Sequence, residues 1–221
     1  MKNILKINKF FRTDGKESML EVLINPNNFF KNRMDKEMNF QPLLIILAIT
    51  CIGILNITFL FSNISSDYLG VSEYALARFR RTTMTWTLFG SFIYWVILSG
   101  IFYLISTVFN GKGHFDKVVE FVGYGFIPTL IDSIFTFIVN LIVFSQIDFA
   151  SIQDIYSFEE VISSYPIFKG VEILAILLGL WSAYIWIYGI SHSRNLSVKD
   201  ATVVVGVPIG ISILSAIYKL F

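Results

Sequence analysis

The sequence predicts an all-α integral membrane protein: five transmembrane helices preceded by short amphipathic and juxtamembrane helices. Two observations carry this expectation. Of 221 residues, 55% are hydrophobic and only 15% charged, against about 25% charged in soluble chains, and the mean hydropathy is +0.67. The charges that exist are also spaced so that five long apolar runs stay almost free of them. So little polarity excludes disorder. A net charge of +1 offers no overall attraction for nucleic acid. The single cysteine, Cys51, excludes a disulfide framework or a thiolate cluster and is expected as a small core residue.

Taken in order, residues 1–40 form a charged, cytoplasmic amino-terminal segment with amphipathic helices, and 41–221 a five-span membrane domain. Between Lys2 and Arg12, Ile4, Ile7 and Phe11 share one helical face, and Lys2, Lys6 and Lys9 the opposite one. That pattern suits either an anionic membrane surface or a short solvated helix. Asn25-Pro26 is a start signal, a capping side chain followed by proline at the first helical position. Phe29 and Phe30 then lead toward the first span at Gln41-Pro42.

The uncharged runs are Met38–Ser66, Thr82–Gly111, Ile173–Ser193 and Ala201–Tyr218, and Phe121–Ile147 carries one charge, Asp132. Each is long enough to cross a bilayer, which takes about 20 helical residues. Lipid offers no partner for backbone amides, so each run must be a helix. Orientation follows Lys and Arg. Twelve of the seventeen fall in residues 1–40 and the loops after the second and fourth spans, and five on the other side. The amino terminus is therefore expected in the cytoplasm of a cell-membrane protein and the carboxyl terminus outside. The Arg78, Arg80, Arg81 cluster dissents, since it falls on the external side.

Few residues suggest chemistry. No metalloprotease, phosphate-loop or nucleophile-elbow pattern occurs. His114 and His192 lie in cytoplasmic-side loops with Asp116 nearby, the beginning of an acid–base or metal site, although two such histidines are more often interfacial polar residues. Asp132 sits mid-span, where insertion scales put an ionised carboxylate at ~2.5 kcal/mol or more. It must be protonated, paired or facing a wet cavity. Pro128, one turn earlier, withholds the donor that the Tyr124 carbonyl would use. The pair Pro128 and Asp132 reads as an intramembrane polar site, with an interhelical hydrogen bond favoured over proton or ion transfer. Gly206 and Gly210 form a small-xxx-small pair expected to let another helix approach.

Several patterns together carry a resemblance. They are Asn25-Pro26-Asn-Asn-Phe29-Phe30, the turn Gly111-Lys-Gly113-His-Phe115, Val122-Gly123-Tyr124 with Pro128, and Trp181 and Gly189 followed by Ser191-His192-Ser-Arg-Asn-Leu196-Ser197 and Ala201. This resembles the Yip domain family, membrane proteins that interact with Ypt/Rab GTPases, over most of residues 24–218. The resemblance implies five spans, a cytoplasmic amino terminus, no catalytic residues and no cofactor. Eukaryotic members carry a long polar extension, whereas about forty residues precede the first span here. That departure counts against small-GTPase binding, and the chain looks more like the short prokaryotic type. The expected role is association with the bilayer and with a membrane-protein partner or a second copy, without catalysis. Phe29, Phe30, Gly111, Gly113, Phe115, His192 and Leu196 are the candidate partner surface. The alternative is a small transporter or ion-conducting subunit using Asp132.

Overall fold

In a computed structural model, residues 19–66, 70–147, 161 and 164–220 are described, with side chains to 218. The basic stretch Lys2–Arg12 and most of the Ser145–Phe168 loop lie outside these residues. Eight helices occur among the described residues: α1 (Met19–Ile24), α2 (Pro26–Arg33), α3 (Gln41–Asn63), α4 (Glu73–Val108), α5 (Phe115–Tyr124), α6 (Ile127–Phe144), α7 (Pro166–Ser193) and α8 (Val198–Leu220). Five spans, with α5 and α6 counted together, are long and apolar enough to cross a membrane.

Side-chain chemistry explains where these helices start. Asn25 caps α2 by accepting from the Asn28 amide at 3.2 Å, with Pro26 opening the helix. Ser72 accepts from the Ala75 amide and starts α4. Ser197 accepts from the Asp200 amide at 3.1 Å and donates to the Asp200 carboxylate, a reciprocal cap for α8. With 36 residues, α4 is about 54 Å long at 1.5 Å per residue, far more than the ~30 Å hydrocarbon core. Its first third therefore projects beyond the bilayer. Arg78, Arg80 and Arg81, all exposed, stand on that projection and need not enter lipid, although they still count against an external position for this end of α4.

The spans close into a ring. Helix α3 packs on α4 and α6, α8 packs on α4 and α7, and α6 packs on α7. Helix α5 packs against α3, α4 and α7, and every residue from Glu120 to Phe126 is buried. A helix segment buried all round belongs inside a bundle. So α5 fills the ring at one end.

The third span is therefore not the single helix the apolar run suggested. It breaks at Gly125–Phe126, and the chain moves from the interior to the wall. Pro128 opens the second helix rather than kinking a continuous one. Gly125 is required there, because a Cβ would overlap the Trp186 indole. Two indoles support the break: Trp186 Nε1 donates to the Val122 carbonyl at 2.7 Å and Trp95 Nε1 to Val119 at 2.9 Å. These donors supply in protein what water cannot supply in lipid.

Two other expectations need correction. Cys51 is exposed on α3 rather than buried in the core. On α8, Ala201, Val204, Val205 and Ile209 are the buried face, at the i, i+3, i+4, i+8 spacing of a packing stripe. Gly206 and Gly210 lie off that face with nothing within 4 Å of an added Cβ, so the small-residue pair makes no close helix approach within the chain.

Candidate functional site

The sequence motifs converge on one end of the bundle, where the Gly111–Phe115 turn meets the Ser191–Ser197 turn. The Lys112 amide donates to the Arg194 carbonyl at 2.7 Å. Arg194 then works as a clamp. Its guanidinium donates to the Ser106 hydroxyl at 2.8 Å, to the Gly111 carbonyl at 2.6 Å and to the Gly113 carbonyl, and lies 4.1 Å from the Tyr103 ring centroid. The side chain is buried, at 2% exposure. A planar fork with several fixed donors suits such a set of carbonyls as a lysine could not. Gly113 has φ +133, and a Cβ there would overlap the Ser193 carbonyl, so both conformation and space demand glycine. Ser191 closes the second turn by donating to the Leu196 carbonyl at 2.8 Å.

A buried charge cluster lies beside the clamp. Glu120, 2% exposed, accepts from Arg33 Nε at 2.8 Å and Lys117 Nζ at 2.9 Å, and from the Asn39 amide at 3.3 Å. Lys117 also donates to the Lys36 carbonyl at 2.6 Å. A carboxylate so removed from water is tolerated because its lone pairs are taken up. The cluster ties the segment after α2 to α5, and Tyr124 adds a hydrogen bond to Gln41 at 2.9 Å.

The candidate partner surface divides on this geometry. Phe29 and Phe30 cannot belong to it: they are 2% and 0% exposed. They pack against Tyr124 and Phe121, with centroids 4.9 and 4.7 Å apart. Gly189 lies against the Phe30 ring, where an added Cβ would meet it at ordinary contact distance, 3.4 Å. Juxtamembrane phenylalanines before a span look like anchors in sequence; here an interior α5 supplies the apolar surface that buries them. Phe115 stays 40% exposed, edge-on to Tyr103 at 5.4 Å. Lys112, Gly113, His114 and Asp116 are exposed beside it, and Gly111, His192 and Leu196 are half-buried. His192 Nε2 shares a hydrogen bond with Asn27 at 2.8 Å.

Among the described residues, no group of three or more His, Cys, Asp or Glu side chains could hold a metal ion, so His114, Asp116 and His192 are not gathered into one. Asp132 is half-buried, and its buried Oδ1 makes no hydrogen bond. The interhelical bond expected at that oxygen is absent. Arg194 and Glu120 were the residues that sequence reasoning missed. Each looked like the charged border of an apolar run, and the signal available was position: Arg194 lies inside the second turn's motif and Glu120 two residues before Val122-Gly123-Tyr124.

The motif-bearing turns thus meet in one packed unit at this end of the bundle. The Yip1 domain matches residues 20–219 of this chain. The chain belongs to the Yip1 domain family. Uncharacterized protein MJ0794 of Methanocaldococcus jannaschii is 31% identical over 120 residues, covering 54% of this chain and 85% of the relative. That prokaryotic relative fits a short-type Yip1 domain. No solved structure matches the chain.

Proposed function

We propose that this Yip1 domain is a non-enzymatic scaffold in the cell membrane, with its amino terminus and both motif turns in the cytoplasm, where they hold a membrane-protein partner. One observation carries the reading. The buried Arg194 fork fixes the Gly111–Phe115 turn against the Ser191–Ser197 turn, so that exposed Lys112, His114, Phe115 and Asp116 stand on a rigid frame beside Asn195 and Lys199. A preorganised patch of an aromatic ring rimmed by charges loses little entropy on binding. A photo-crosslinking amino acid at Phe115 tests it in native membranes. The expected outcome is a discrete protein adduct, lost in Arg194→Ala and absent when the probe is at lipid-facing Leu214. Crosslinks to lipid alone from both positions would count against a protein partner.

The transporter alternative draws on the unpartnered Asp132 Oδ1. Liposome flux abolished by Asp132→Asn would favour it; flux at background in both forms leaves the scaffold.

A further inference from the structure

The ring has an interior that its helices do not fill. Because α5 ends at Tyr124 and the chain crosses to the wall, the space beyond the break is left open. A cavity of about 520 Å³ occupies it, with lining residues from all five spans. Phe126 and Trp186 form one end, and Glu172 with Ala216 lies toward the other. Fourteen residues of α7 separate Glu172 from Trp186, about 21 Å along the helix, so the cavity is long and reaches past the bilayer middle from the end opposite the motif turns. Its wall is mostly apolar, with Ile46, Ile49, Ile176 and Ile209 among the lining residues.

We propose that this cavity is a lipid site, holding one hydrocarbon chain of a zwitterionic phospholipid whose ammonium group sits at Glu172. The lining surface is mostly apolar, with the hydroxyls of Ser91, Tyr94, Thr129, Ser182 and Ser212 set among it, and left empty such a space forfeits dispersion contacts along its length. The phase surrounding five membrane spans is hydrocarbon, and a cavity this long accepts a chain end-on from one leaflet. The volume lies within the range of ligand pockets. Exposed Glu172 at the rim gives the preference for a cationic head group, and exposed Lys169, three residues earlier on the same helix face, can meet the phosphate. This goes beyond the partner-binding reading, since it concerns the opposite half of the bundle.

Gly179 makes the test clean. It lines the cavity, and an added Cβ would meet nothing within 4 Å, so Gly179→Phe fills the space from a site that tolerates a side chain. Gly206→Phe, on the outward face of α8 and equally open, is the control. Native mass spectrometry of delipidated protein is expected to show one retained phospholipid in the unmutated chain and in Gly206→Phe, and at least tenfold less in Gly179→Phe. Thr129→Val, which removes a cavity hydroxyl but keeps its shape, is expected to retain the lipid. Glu172→Gln is expected to abolish preference for phosphatidylethanolamine over phosphatidylglycerol. Brominated-chain phospholipid should quench a slowly exchanging fraction of the fluorescence that Trp186→Phe removes, a measurement independent of how Gly179→Phe folds. Equal retention in Gly179→Phe, equal loss in Gly206→Phe, or no slow quenching would overturn the site. Loss of the bound species in Thr129→Val would replace the hydrocarbon chain with a polar solute.

Discussion

The two ends of this bundle are built by different physics. At the motif end, the buried charges have specified partners, Arg194 on two backbone carbonyls and a hydroxyl and Glu120 between Arg33 and Lys117, while the buried Ser193 hydroxyl makes no hydrogen bond. At the other end, Val139, Val143, Phe144 and Ile147 form a small apolar cluster with Phe59, Leu60 and Phe168 around it. Its interhelical hydrogen bond is Asn140 to Asn56 at 2.9 Å. A polar network fails when one member is lost, because the others stay desolvated. Aliphatic packing tolerates exchange of similar volumes. The motif end is therefore where sequence is constrained residue by residue, and it is also the end with the exposed patch.

The comparison breaks most readily at Glu120. Glu120→Ala leaves Arg33 and Lys117 beside an empty buried site, and breaking one partner of such a cluster costs about 3–5 kcal/mol. Thermal unfolding in detergent should show it, and a loss below about 1 kcal/mol would mean the cluster is wet. Next comes Arg194→Lys, which keeps the charge but not the fork. Each charge-assisted bond lost is worth about 1.5–3 kcal/mol, and proteolysis within residues 110–114 should rise while the spans stay protected. The opposite end should respond weakly. Asn140→Leu is expected to cost about 0.6 kcal/mol, the average for hydrogen bonds between membrane helices, read by the same unfolding assay. Asp132→Leu should cost nothing measurable, because the buried Oδ1 has no bond to lose; a loss of 1–2 kcal/mol would restore the interhelical bond. Gly206→Ala sharpens the contrast from the lipid side. Within the chain it should be neutral or gain up to about 1 kcal/mol of helix propensity, whereas a drop in a crosslinked dimer population would place that face in a self-association interface.

How much of this was legible in the sequence follows the same division. The spans could be read because the cost of placing charge in lipid is a local property of each run, and the Yip-like motifs marked the turns that meet. Helix ends were less exact: α4 begins at Glu73, nine residues before the uncharged run, since a helix that leaves the bilayer tolerates arginines. The break at Gly125 was half visible in Pro128, but the indoles that stabilise it come from α4 and α7. The partners of Arg194, and Arg33 as a partner of Glu120, lie more than eighty residues away, and no spacing rule joins them; Lys117, three residues before Glu120 on α5, is the one such pair that helix periodicity offers. Phe29 and Phe30 misled for the same reason, since what buries them is the interior α5, and the cavity exists only because that helix stops short.

The claim that most depends on orientation is that the motif end faces the cytoplasm. Single cysteines at exposed His114 and Gln146, with Cys51 replaced, separate the two ends, and neither position carries a hydrogen bond described above. With a membrane-impermeant maleimide on intact cells, the account predicts strong labelling at position 146, with position 114 reacting only after permeabilisation. Labelling at 114 and not at 146 in intact cells would contradict it, placing the Arg194 frame and its patch outside the cell.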